Sequence, residues 1–180
     1  SAFLLLFTIL FYVFVYTIWL KRKTPQNIVI GGASGALPPV IGWAIATNSI
    51  SLESIAFFLI IFFWTPSHFW ALSLYKADDY KKAGIPMLPV TNGIQDTKKN
   101  ILIYSLLMIP TIVFPYYIGF VGEVFLTLSL LLTFYYNLIC YQLYNYKVGK
   151  FNIKKARHIF SYSIIYLFLI FVFFLVDKVL

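Results

Sequence analysis

Six acidic residues occur in 180, and two of them are adjacent: Asp78 and Asp79, in the stretch YKADDYKKAGIPMLPV that runs from residue 75 to residue 90. Continuous apolar sequence ends just before them, so both carboxylates fall where a membrane segment would meet water. Carboxylates at that depth suit a hard cation such as Mg²⁺, which takes oxygen ligands and shares them with a substrate phosphate. The same pair also fits a solvated helix end, its charge offset by Lys81 and Lys82. A second group is Lys21-Arg-Lys-Thr-Pro-Gln-Asn27. Its cations and donors can hold a diphosphate, Arg22 through a bidentate fork and Lys21 as a point charge. Topological charge alone is the competing account, although Thr24, Gln26 and Asn27 add polar groups that topology does not need. His68 lies inside an apolar run, in WTPSHFW at residues 64–70. From it Leu72, Tyr75 and Asp79 follow at i+4, i+7 and i+11, which predicts one helix stripe with the carboxylate about 16 Å from the imidazole. A pocket along that stripe would have carboxylate at its mouth and imidazole near the bilayer middle. Pro66 frees a backbone carbonyl, and a local bond to it is the other use open to His68. His158, in a basic loop, reads as a solvated interface residue.

The elements that must position these groups are membrane helices. Hydrophobic residues make up 61% of the chain, charged residues only 11%, and the mean hydropathy is +0.86. A soluble domain carries about a quarter charged residues, so lipid is the solvent here. Uncharged runs near the roughly 20 residues that a spanning helix needs occur six times, at about 1–20, 28–52, 54–75, 100–122, 124–146 and 159–176. They are continuously apolar and do not alternate, which favours helices over a barrel. Gly31, Gly32, Gly35, Pro38, Pro39 and Gly42 predict a kinked or unwound second run, and Pro66, Pro110 and Pro115 predict bends in the third and fourth. The net charge of +8 could suggest a nucleic-acid binder, but 13 of the 14 basic residues sit in three short loops at 21–27, 76–99 and 147–158. Only Lys178 falls on the other side. That placement reports topology, excludes nucleic acid as a partner, and puts the three loops in the cytoplasm. The long 76–99 segment is expected to be functional or to hold a short helix. Cys140 is the single cysteine, so no intrachain disulfide can form. Most of the 37 aromatics must face lipid, and a minority could line a pocket and steady a carbocation through their π faces. The chain opens inside an apolar run without a methionine, and the expectation is the C-terminal part of a longer, single transmembrane helical domain.

Two blocks carry a resemblance: KRKTPQNIVIGGASGALPPVIGW at residues 21–43 and WTPSHFWALSLYKADDYKKAGIPMLPV at residues 64–90. Both resemble protoheme IX farnesyltransferases, members of the UbiA-type intramembrane prenyltransferases, and the likeness runs over nearly the whole chain, Arg157 and His158 included. The resemblance implies an all-α membrane protein of which this chain supplies helices four to nine of a nine-helix bundle. It implies farnesyl transfer from farnesyl diphosphate to a vinyl group of protoheme IX (haem B), with Mg²⁺ as the expected metal. By the same token Asp79 and Asp78 are the metal-binding and catalytic candidates, and Lys21, Arg22, Thr24, Asn27 and Lys82 the diphosphate-binding ones. His68 and Tyr75 fall to the haem pocket. The superfamily's second Asp-x-x-x-Asp motif is here Tyr75-x-x-x-Asp79, a departure that argues against a quinone-type prenyltransferase. A membrane transporter is the alternative from another class, with His68 lining its path. The implied setting is the bacterial inner membrane, with the mitochondrial inner membrane as the alternative. Haem-pathway or oxidase-assembly proteins are the implied protein partners.

Overall fold

The structure, a computed structural model, describes residues 1–146 and 153–179. Lys147 and Lys150, two cations of the third basic loop, lie outside them. Among the described residues every regular element is a helix. The first, α1, spans Ala2–Leu10 and continues without a break as a π-helix over Phe11–Leu20. The run predicted to kink is two helices, α2 (Asn27–Gly35) and α3 (Pro38–Thr47), parted at Ala36 and Leu37. The prolines at the start of α3 explain the break, because their rings leave no N–H for a continuing ladder. Two long helices follow the apolar runs closely, α4 (Leu52–Tyr75) and α8 (Glu123–Tyr144), and a third, α9 (Ile153–Val179), begins six residues before its predicted run, so that Lys154, Lys155 and Arg157 of the predicted loop are helical. A fourth, α7 (Gly93–Tyr117), begins seven residues before its predicted run, so that the 76–99 segment is largely helical. The rest of that segment holds α5 (Ala77–Lys82) and α6 (Leu88–Thr91). Six helical runs are long and apolar enough to cross a membrane.

Helices α4, α7, α8 and α9 pack in a closed ring, each against two of the others, while α2 and α3 lean on α4. The first span stands outside the ring and buries no residue. It comes close to α2 because Gly31 has no side chain: a Cβ there would meet the Tyr16 ring at 2.5 Å. Apolar packing alone cannot hold helices together in lipid, so small and polar contacts take over. The Ser67 and Tyr136 hydroxyls are 2.9 Å apart, as are those of Thr133 and Tyr166. Trp64 Nε1 donates to the Ser163 carbonyl at 2.8 Å.

Contacts between elements fix which ends lie together. Lys98, fully buried near the start of α7, donates to the Tyr146 carbonyl just beyond α8. Arg157 of α9 lies over the ring of Tyr75 at the end of α4. Lys21 and Tyr80 share a pocket. These contacts gather the described parts of all three basic loops at one end of the bundle. At the other end Asp177 accepts from the backbone N–H groups of Gly122 (2.7 Å) and Phe125 (3.0 Å), and Lys178 reaches the Phe120 carbonyl.

Candidate active site at the basic end

Two spaces open on α4, one on each side of Trp64. The first is a cavity of about 260 Å³ between the first span, α2 and α4, lined mainly by Tyr12, Tyr16, Gly31, Gly32, Gly35 and Phe69. Glycines at 31, 32 and 35 share one face of α2, and a Cβ on Gly35 would meet nothing within 4 Å, so bare backbone floors the cavity. The π-helix brings Tyr12 and Tyr16 onto the same wall, their ring centroids 5.2 Å apart. Toward the basic end a smaller space of about 220 Å³ continues it, sharing Tyr16, Ile28 and Phe69 and adding Lys21, Asn27 and Tyr80. The result is an apolar slot with a cation and polar groups at its mouth.

Asn27 is the most constrained polar residue of that mouth. It is 1% exposed, its Nδ2 donates to the Lys21 carbonyl at 3.1 Å, and its Oδ1 is buried without a hydrogen-bond partner. An orphaned buried carbonyl oxygen costs free energy unless something polar or cationic comes to it. A hard cation fits that oxygen, and so does a water donating to it. Of the other predicted diphosphate residues, Lys21 lines the mouth, Arg22 is exposed beside it, and Lys82 is exposed at the end of α5. The Thr24 hydroxyl oxygen accepts from the Gln26 N–H at 3.2 Å and so serves the turn into α2.

The carboxylates are placed differently from the single stripe that the spacing predicts. Helix α4 ends at Tyr75, because Lys76 leaves helical backbone (φ −114°, ψ 18°), and the chain restarts as α5. The stripe from His68 therefore holds through Leu72 and Tyr75 and stops. Asp79 sits on α5 and pairs with Lys76 at 2.9 Å. That hydrogen bond and the ammonium charge hold the Asp79 carboxyl below its ordinary range and raise Lys76. Asp78 and Asp79 are both exposed, and Asp79 lines a shallow pocket with Leu72, Lys76, Tyr80, Ala83 and Ile85. Tyr80 and Ile85 belong to that pocket and to the slot's mouth, so the pocket that holds Asp79 adjoins the mouth, which neither carboxylate lines. No group of three or more His, Cys, Asp or Glu gathers among the described residues.

The second space is an open groove along α4 and α9, lined by Trp64, His68, Ile164, Leu167, Phe168 and Phe171. His68 is 7% exposed. Its ring lies between Trp64 (4.3 Å, 20°) and Phe160 (4.6 Å, 26°), and its Nδ1 is 2.6 Å from the Ser163 hydroxyl. That hydroxyl donates to the Phe160 carbonyl, so the proton of the His68–Ser163 bond sits on Nδ1. With Nδ1 as the donor, an uncharged ring carries its lone pair on Nε2. The local alternative for His68 does not occur: Thr65 and Ser67 bond the carbonyls of Ile61 and Trp64, and His68 crosses to α9. Tyr75, also predicted for this pocket, lies two turns on, its ring edge-on to Phe160 and beneath the Arg157 guanidinium. His158 is exposed, 3.2 Å from the Tyr135 hydroxyl. Tyr16, Phe69, Trp64 and the three glycines were not singled out as site residues by sequence. The small-residue spacing at 31, 32 and 35 was the available signal.

The UbiA prenyltransferase family profile matches residues 1–165, and the chain belongs to that family, a family of integral membrane prenyltransferases. It is 77% identical over 180 residues to the protoheme IX farnesyltransferase of Pelagibacter ubique, covering all of this chain and 59% of that protein. It is 50% identical over 180 residues to the protoheme IX farnesyltransferase of Parvibaculum lavamentivorans, covering all of this chain and 57% of that protein. With the one from Azorhizobium caulinodans it shares 53% over 168 residues, 93% of this chain and 55% of that protein. The chain thus spans a little over half the length of the curated relatives it matches. No solved structure matches it.

Proposed function

We propose that the protein containing this chain transfers a farnesyl group from farnesyl diphosphate to a vinyl group of protoheme IX. The allylic C–O bond breaks, a C–C bond forms to the vinyl terminus, and water adds at the neighbouring carbon, releasing diphosphate and a proton. One observation carries the reading: an apolar slot with a basic, amide-lined mouth and a groove holding an imidazole have Trp64 as a common lining residue. A two-substrate reaction between an isoprenoid diphosphate and a flat metalloporphyrin needs two such compartments with one wall.

In that reading Lys21 and Arg22 hold the diphosphate, with Lys82 nearby and Thr24 shaping the turn that carries them. Mg²⁺, once bound, would neutralise charge on the departing diphosphate, with the orphaned Asn27 Oδ1 and the Asp78 and Asp79 carboxylates as its candidate ligands. The Tyr16, Phe69 and Trp64 rings line the slot where positive charge develops, and they keep water away from it. His68 Nε2 meets the haem in the groove, and Tyr75 closes the groove's upper end. The bacterial homologues support an inner membrane, and the clustering of the basic residues supports a cytoplasmic basic end.

The test uses the full-length protein and separates the two compartments. Asp79→Asn changes charge with little change of shape, and it should cost on the order of 10²-fold in farnesyl transfer while haem binding holds. His68→Ala should weaken haem binding and leave the apparent affinity for farnesyl diphosphate nearly unchanged. Wild-type turnover in Asp79→Asn would remove the carboxylate from the diphosphate end. Equal loss of both ligands in His68→Ala, with a lowered melting temperature, would make the imidazole a packing residue only.

A further inference from the structure

The groove that holds His68 does not end in apolar surface. Arg157, Phe160, Ile164, Leu167 and Phe171 recur along α9 at three- and four-residue spacing, so they form one face, with Phe168 beside them. Phe160 stacks on His68 and meets the Tyr75 ring edge-on, which joins the groove to the basic end. At that end the Arg157 guanidinium lies 5.3 Å from the centre of the Tyr75 ring. Arg157 is exposed, and no carboxylate pairs with it among the described residues, where the ion pair is Lys76–Asp79. A flat cation-bearing fork, held on an aromatic face and free at its donors, is built to receive a carboxylate or phosphate.

We infer that Arg157, seated on Tyr75, anchors the carboxylate edge of the porphyrin in the α4–α9 groove. The inference rests on the proposed haem reaction and adds to it a residue and an orientation. Charge complementarity selects the occupant. A metalloporphyrin is a broad apolar plane with two carboxylates on one edge and a metal at its centre that takes an imidazole lone pair. The groove offers an apolar wall of Ile164, Leu167, Phe168 and Phe171, an imidazole with no hydrogen-bond partner at Nε2 among the described residues, and the Arg157 guanidinium at the aqueous end. An arginine there turns the acid edge toward water and the opposite part of the ring inward, toward the wall made by Trp64. An acyl chain would need no imidazole, and a lipid phosphate would need no flat wall beside its cation.

The experiment is a Soret-band titration of the full-length protein in nanodiscs, with iron protoporphyrin IX and with its dimethyl ester, whose carboxylates are masked. The wild type should bind the diacid about tenfold or more tighter than the ester. Arg157→Gln should bring the diacid down to the ester's affinity and leave the ester unchanged, while Arg157→Lys should fall between, since it keeps charge and loses the fork. The KM for farnesyl diphosphate should not move in either variant. Arg157 is exposed, so an unchanged melting temperature will confirm that both variants fold. Equal wild-type affinity for diacid and ester overturns the anchor. So does an Arg157→Gln variant that weakens both porphyrins alike, or one that raises the KM for farnesyl diphosphate, which would make Arg157 a phosphate cation. Diacid preference without any farnesylated product would sink the reaction and leave the anchor standing. Farnesyl transfer with no preference for the diacid would do the reverse.

Discussion

At the scale of single residues, Trp64 does three things with one side chain. It stacks on His68, donates to the Ser163 carbonyl of α9, and forms a wall of both the slot and the groove. Few residues other than tryptophan combine that area with a donor at the far end. Removing it should merge the two compartments. In Trp64→Ala the slot can run on into the groove, so a prenyl diphosphate one isoprene unit longer should gain turnover relative to farnesyl diphosphate. The measurement is the ratio of products from the two diphosphates in competition. An unchanged ratio, with folding intact, would show that Trp64 does not limit the slot. The substitution also leaves a cavity, and a stability loss of about 3–5 kcal/mol is the expected scale. Trp64→Phe, which keeps most of the ring, is therefore the companion variant, and it should keep the wild-type product ratio.

At the scale of elements, the helix ends are tied down by side chains from other helices. Asp177, near the end of α9, accepts two N–H groups at the start of α8, one from Gly122 and one from Phe125. It does for α8 what an N-cap residue does for its own helix, and its charge also faces the positive end of that helix's dipole. Asp177→Ala should lower the stability of the detergent-solubilised protein by about 1 kcal/mol, within the range seen for lost caps. Thermal unfolding checks it, and a melting temperature equal to the wild type would show that water replaces the cap at no cost. Lys98 does the corresponding work at the opposite end, a buried cation placed on the Tyr146 carbonyl past the end of α8. The break at Lys76 is an element-scale feature with a functional result. By ending α4 at Tyr75, it takes Asp78 and Asp79 off the His68 stripe and onto α5, whose Tyr80 lines a pocket with Lys21 and Asn27.

For the whole molecule, the gathering of the three basic loops at one end is a matter of contacts, whereas which side of the membrane that end faces is a matter of charge. Cysteines introduced at Lys23 and Lys82 should react with an impermeant thiol reagent from the cytoplasmic side only, and one at Ser49 only from the other. The native Cys140 is buried and should stay silent. Labelling of Lys23 and Lys82 positions from opposite sides would break the bundle described above, since Tyr80 and Lys21 share one pocket. Labelling of all three in the reverse sense would keep the bundle and overturn its orientation.

The sequence by itself determined the class and the count of membrane segments. Six uncharged runs can be solvated only by lipid, and, being continuously apolar and not alternating, they satisfy their backbone there as helices and not as barrel strands. It also determined the breaks at Pro38 and Pro39, because a missing N–H acts locally. The candidate cations and carboxylates were legible for the same reason: charge is costly in lipid and therefore stands out. What the sequence could not decide is which of these groups meet. A helix stripe from His68 to Asp79 follows from spacing alone, but one residue leaving helical backbone at Lys76 redirects everything after it. The partner of His68 is Ser163, 95 residues away, and no local pattern encodes a hydrogen bond between distant helices. The seating of Arg157 on Tyr75 and the two compartments beside Trp64 likewise arise only when α4 and α9 pack. Local chemistry set the pieces, and packing between elements far apart in the chain decided which of them share a site.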